Sequence, residues 1–205
     1  MKAAAVNRTW APAQGERGME RDLRQAPSLL RRQDCLLVII DMQEKLHRVM
    51  EGKEALAANV LRLAKFAGVA GLPVVVSEQA NLGPTLAEIA QALPAGSPKV
   101  DKIAFDCFAS PAFQELLWQQ DKGTLVLCGI EAHICVAQTA LSGLVGHRVQ
   151  VIADAVASRV EANRRVALTR LAQAGAVISS TEMFMYEILG QAGSDEFRQV
   201  LRLVK

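Results

Sequence analysis

The stretch CGIEAHICV, residues 128–136, sets a glutamate and a histidine between two cysteines. Three chemistries are open to such a cluster: a metal site, a disulfide or one reactive thiol. Zinc sites take ligands at short spacings such as C-x2–4-C with H-x3–5-H, and Cys128, His133 and Cys135 fit no such pattern. Cys128 continues the apolar run Leu125-Val126-Leu127, a strand pattern, whereas Cys135 opens the helical spacing Ile134, Ala137, Leu141, Leu144. Residues on two such elements do not converge on one ion or one S–S bond. A thiol in the first turn of a helix is a different matter. The dipole and the free N–H groups there favour a thiolate, and the same N–H groups can hold an oxyanion. This singles out Cys135. Cys35, Cys107 and Cys128 read as packing residues. His133 either lines the same site or makes a structural hydrogen bond.

A nucleophilic thiol needs a base to take its proton and a cation to hold the anion. Asp41 and Lys102 are the candidates, and the hydrophobic pattern says where they lie. CLLVIID (35–41) is a continuous apolar run, the mark of a strand buried on both faces. Apolar residues at three- and four-residue spacing predict a helix over 52–71, stopped by Gly71-Leu72-Pro73. VVVS (74–77) is a second strand, Pro84 opens a short helix, and KVDK (99–102) is a short third strand. Pro111 suits the first turn of another helix. TLVLCGI (124–130), RVQVIAD (148–154) and AVIS (176–179) are strands four to six, with a helix over 161–174 and two more over 181–190 and 194–203.

Strands alternating with helices across short loops predict an α/β chain: a three-layer, Rossmann-like fold with a six-stranded parallel sheet, order 3-2-1-4-5-6, flanked by helices. Sites in such sheets form at the carboxyl ends of the strands, beside the switch point between strands one and four. There the ends deliver Asp41, then Glu78 and Gln79, then Asp101 and Lys102, then Glu131, His133 and Cys135, then Asp154. Asp41 and Cys135 are thus expected on opposite walls of one crevice. No glycine occurs in DMQEKLHRVM after the first strand, so neither dinucleotide fingerprint nor P-loop is present.

The bulk figures narrow the partners. A 205-residue chain with 51% hydrophobic and 21% charged residues is globular. A net charge of +2 gives no electrostatic case for nucleic acid or an anionic membrane, and no apolar run approaches the roughly 20 residues of a membrane span. Four scattered cysteines fit a reducing, cytoplasmic compartment. Residues 1–33 lack an apolar signal core. Their arginines suit a transit peptide, but Glu16, Glu20 and Asp22 oppose one. They read as a loosely attached arm, with Met19 an alternative start, ahead of a single domain over 34–205.

Together, VIIDMQEKL (38–46), Lys102 in DKIAF (101–105) and CGIEAHICV (128–136) resemble the isochorismatase-like cysteine hydrolases over about residues 34–205. SEQANLGPT (77–85) is similar, more narrowly, to the isochorismatase domain-containing proteins. The resemblance implies a triad in which Asp41 is the general base, Lys102 stabilises the ionised forms and Cys135 attacks a carbonyl carbon to give a thioester. It implies a cis Ile130–Glu131 peptide that turns the Glu131 N–H toward the oxyanion, beside that of Cys135. It also implies Gln43, Glu78 and Gln79 near the pocket, and a homo-oligomer, dimer or larger, for which the C-terminal helices with Met183, Phe184, Met185 and Tyr186 offer an apolar contact face. Two departures matter. Family members that bind a metal do so through an Asp-x-His group after the second strand. SEQANLGPT has no histidine there, so neither metal nor other cofactor is expected. Family members that cleave the vinyl ether of isochorismate use no cysteine nucleophile, and Cys135 therefore points elsewhere. The resulting expectation is a metal-independent hydrolase of a C–N bond, other than a peptide bond, in a small amide. Phe105, Phe108 and Trp118 are apolar neighbours that line its pocket or serve the core. The alternative is an interaction protein that keeps the fold with a weak or silent site.

Overall fold

A computed structural model describes residues 29–205. The arm reading and the alternative start at Met19 lie for the most part outside the described residues. Of the arm, residues 29–33 are described. Leu30 is buried and its N–H bonds Glu187, Arg32 pairs with Glu196, and a 3-10 turn, Arg32–Asp34, leads into the sheet.

Six strands form one sheet in the order β3-β2-β1-β4-β5-β6: β1 Cys35–Ile40, β2 Val74–Gln79, β3 Lys99–Lys102, β4 Thr124–Ile130, β5 Arg148–Ala157 and β6 Val177–Ser179. Every neighbouring pair is parallel. The helices are α1 Glu44–His47, α2 Lys53–Ala70, α3 Ala87–Ala92, α4 Pro111–Gln120, α5 Ala137–Gly143, α6 Glu161–Gln173, α7 Thr181–Leu189 and α8 Asp195–Val204. Side chains alternate along β1. Leu37 and Ile39 join Val60, Leu63, Phe66, Phe184 and Val200 on one face, where α2, α7 and α8 pack. Leu36, Val38 and Ile40 join Phe113, Leu117, Ala140 and Leu171 on the other, under α4, α5 and α6. With both faces covered, β1 must be apolar at every position, which is why it reads as an unbroken run. Each such leucine or isoleucine contributes about 1.5–3 kcal/mol by burial.

Three local expectations change. Pro84 does not open a helix. Residues 84–86 stay extended, because Thr85 bridges Gln43 and the Leu86 N–H bonds the Met42 carbonyl, and α3 begins only at Ala87. β5 does not stop at Asp154 but runs on to Ala157. Its register against β4 jumps from Leu127↔Val151 to Gly129↔Val156, and the extra residues bulge out. Asp154 lies in that bulge and caps α7, accepting from the N–H and hydroxyl of Thr181 at 2.7 and 2.9 Å. Finally, the suggestion that Met183, Phe184, Met185 and Tyr186 form one contact face gives way. Phe184 and Met185 are wholly buried and only Met183 is largely exposed.

At the crossing of β1 and β4 the backbones nearly touch. Gly129 has φ +116°, and a Cβ there would lie 2.0 Å from the Ile40 carbonyl oxygen. Only glycine meets both demands. Asp41 follows at once with φ 51°, a left-handed conformation that aspartate tolerates better than most residues.

Candidate active site

The left-handed turn lifts Asp41 off the end of β1, its N–H tied to the Ser77 carbonyl. Its carboxylate is fully buried and has two partners. Lys102 Nζ, at the end of β3, donates to Oδ2 at 2.7 Å, and Ser77 Oγ, on β2, donates to Oδ1 at 2.8 Å. Lys102 is itself buried. It also donates to Gln79 Oε1 at 2.8 Å, and Gln79 Nε2 donates to the Ile103 carbonyl at 2.7 Å. Burial alone lowers a lysine pKa, but the Asp41 charge and hydrogen bond outweigh it, and Lys102 is held above its ordinary value. The pair is a locked ammonium–carboxylate.

Cys135 enters from the other wall. After β4 the Ile130–Glu131 peptide is cis, and the chain makes a π-helical turn, Ala132–Val136, before α5. The helix start is therefore wider than the α-turn the sequence suggests, and π-turns often mark functional positions. The thiol is 6% exposed and close enough for the charges of Asp41 and Lys102 to act on it. The expected thiolate-favouring environment does not result. Burial first, and the Asp41 charge second, push Cys135 up to about 12, while Lys102 pulls only partly the other way. The lysine charge is already committed to Asp41, so the resting thiol keeps its proton.

The remaining candidates divide. Gln43 is fully buried and spends its amide on the loop after β2: Oε1 accepts from Gln79 N–H at 2.8 Å, and Nε2 donates to the Gln79 carbonyl at 3.0 Å and to that of Gly83. Glu78 Oε1 accepts from the N–H and hydroxyl of Thr85 at 2.7 and 2.6 Å, with Lys99 at 3.5 Å. Burial opposes ionisation of Glu78, but these bonds win and lower its pKa. Both residues shape the loop with the polar atoms that were expected to face a pocket. Gln79 reaches the centre, as a partner of Lys102. Phe105 stands 53% exposed, three residues beyond Lys102. Glu131 faces Arg159, and His133 Nδ1 pairs with Ser158 Oγ at 2.9 Å. Trp118 is 78% exposed and, with Phe108, Leu117 and His147, lines a separate cleft. Cys128 is sealed inside β4. Among the described residues, no group of three His, Cys, Asp or Glu is placed to hold a metal.

Two neighbours of the centre were not legible. Ser77 looks like one more residue of a buried strand, yet it anchors Asp41. Cys107 was read as packing, and it is buried, with its N–H on Thr139 Oγ1 at 3.0 Å. Even so, the charges of Lys102 and Asp41 act on its thiol, whose pKa burial chiefly raises.

Residues 35–183 match the model of the isochorismatase domain. The chain belongs to the isochorismatase family. Isochorismatase domain-containing protein 2 of Bos taurus is 36% identical over 177 residues, covering 83% of this chain and 82% of its own. Among solved structures, the MAR1 ribonuclease of Caenorhabditis elegans is 29% identical with a TM-score of 0.81, covering 86% of this chain and 92% of that one. The YcaC gene product of Escherichia coli, described as an octameric hydrolase of unknown specificity, is 24% identical with a TM-score of 0.78, covering 87% and 88%. The parallel sheet in the order found here is the isochorismatase-like α/β fold, and the family is one of hydrolases. Among the described residues no helix is long and apolar enough to cross a membrane.

Proposed function

We propose that this family member is a metal-independent cysteine hydrolase that cleaves a C–N bond, other than a peptide bond, in a small amide. Cys135 Sγ attacks the carbonyl carbon while Asp41 takes the thiol proton. The carbonyl electrons move to oxygen, where the N–H groups of Glu131 and Cys135 stabilise the charge. Collapse breaks the C–N bond, and Asp41 returns its proton to the departing amine. Water then attacks the thioester, Asp41 takes a proton from it, and the carboxylic acid leaves with the thiol restored. Lys102 stabilises the ionised forms through these transfers. The observation that carries the reading is the buried Asp41–Lys102 pair at 2.7 Å with a thiol in reach of both charges. A thiol that rests protonated beside a carboxylate suits proton transfer during attack rather than a stored thiolate.

The raised Cys135 pKa is also what favours the second reading, a catalytically silent interaction protein. Intact-mass measurement separates the two. Incubation with a panel of small amides is expected to add an acyl mass to Cys135 that decays on standing and never appears in Cys135→Ala. Turnover that survives Cys135→Ala overturns the first reading.

The same proposal places a homo-oligomer in the cytoplasm. The octamer named for YcaC supports the assembly, and four buried free thiols support a reducing compartment. The ribonuclease named among the structural relatives raises the question of RNA. The charge of +2, with Lys102 already paired, supports a small-molecule substrate instead.

A further inference from the structure

At the carboxyl ends of β4 and β5, where the chain leaves β4 for Cys135, four residues form one bonded cluster. The Glu131 carboxylate is 8% exposed and accepts from the Arg159 backbone N–H at 3.1 Å. It also accepts from Arg159 Nε, at 3.1 Å to Oε1 and 3.2 Å to Oε2. His133 Nδ1 lies 2.9 Å from Ser158 Oγ and 4.0 Å from Glu131 Oε2. Each side chain is thus braced through one nitrogen only. The two terminal nitrogens of Arg159 and Nε2 of His133 have no hydrogen-bond partner among the described residues. Arg159, at 58% exposure, is held by a nearly buried carboxylate and keeps the forked end of its guanidinium for something else. That end matches a carboxylate. Glu131 and His133 flank Ala132 on the short segment that leads into Cys135.

We propose that Arg159 and His133 form an anion subsite beside Cys135, so that the amide substrate carries a carboxylate. This rests on the hydrolase reading above for its chemistry, but not for its binding. Arg159 holds the anion end-on through its terminal nitrogens. His133 donates from Nε2, and Ser158 fixes its ring. Glu131 sets the direction of the guanidinium and is itself a positioning residue. The mouth of the site is then asymmetric: the cationic ledge takes the charged end of the substrate, and exposed Phe105 is left for the apolar side.

The test uses binding without turnover. In a Cys135→Ala protein, the ring nitrogens of the three histidines, His47, His133 and His147, give separate NMR signals. Succinamate, which is anionic, and succinamide, its neutral counterpart, are titrated at fixed ionic strength. Succinamate is expected to shift the His133 signals and to bind about tenfold or more tightly than succinamide, as a charge-assisted contact requires. Arg159→Gln is expected to erase that preference, and Arg159→Lys to recover part of it, with thermal melts showing that both variants fold. The proposal is overturned if the two probes bind alike, if neither binds, or if Arg159→Gln leaves the preference intact. Failure of the hydrolase reading shows separately, as an absent acyl adduct on a protein that still discriminates the probes.

Discussion

Gln79 Oε1 accepts a 2.8 Å hydrogen bond from the same Lys102 ammonium that donates to Asp41 at 2.7 Å. The glutamine therefore aims the lysine. Gln79→Leu keeps the side-chain volume and removes the acceptor. A hydrogen bond to a charged group is worth about 1.5–3 kcal/mol. Urea unfolding of the variant is expected to show a loss of that size, with no change in the slope against denaturant.

The charges around Cys135 make a prediction of sign. Asp41 raises the thiol pKa and Lys102 lowers it. Asp41→Asn is therefore expected to speed iodoacetamide labelling of Cys135 at pH 8, by about tenfold for each unit the pKa falls. Lys102→Ala is expected to slow it, and both variants are expected to lose hydrolysis. Peptide mass spectrometry of the labelled cysteines reads the rates. Either substitution also strands a buried charge, at a cost of about 3–5 kcal/mol, so labelling belongs at low temperature on protein shown to be folded.

Four buried thiols bear on alkaline stability. Cys35 and Cys135 are pushed up to about 12, and Cys107 and Cys128 are raised as well, burial being the first cause for each. In the unfolded chain a cysteine titrates near about 8.5. Between that value and the folded one, the native state binds more protons than the unfolded state, so stability falls as pH rises. Below about pH 8 the effect is absent. One pH unit above the unfolded value, Cys35, Cys128 and Cys135 each cost about 1.4 kcal/mol. Thermal melts from pH 7 to 10.5 are expected to decline from about pH 8.5, less steeply in Cys128→Ser once its lower starting stability is subtracted.

Gly129→Ala is expected to be the most damaging single methyl. The added carbon meets the Ile40 carbonyl at 2.0 Å and takes an unfavourable φ of +116°. Relief requires β1 and β4 to part just where Asp41 begins. A loss of about 3 kcal/mol or more, or failure to fold, is expected. A melting temperature within a degree of the parent protein contradicts this account of the crossing.

The sheet was readable because its central strands, β1 and β4, are buried on both faces and its strands are separated by helical spacing. Once the strand order was in hand, Asp41 and Cys135 were expected on opposite walls of one crevice from where their strands end, and the place of Lys102 came from the resemblance. What escaped was set by local hydrogen bonds that periodicity does not carry. Thr85 prefers Glu78 and Gln43 to a helix, so Pro84 opens nothing. The bulge in β5 turns Asp154 away from the crevice and toward α7. The protonated state of Cys135 escaped for another reason. It depends on Lys102 having already spent its charge on Asp41, a three-body fact that residue types alone do not state.

The central place of β1 also has a consequence for synthesis. Its six residues are apolar and pair with β2 on one side and β4 on the other. On the ribosome β2 arrives soon after, but β4 follows β1 by roughly 90 residues, or about 4–18 s at 5–20 residues per second. Throughout that interval the most apolar strand of the nascent chain has one open edge. A chaperone that meets this protein during translation is expected to meet it there, and to be released when Gly129 closes on Ile40.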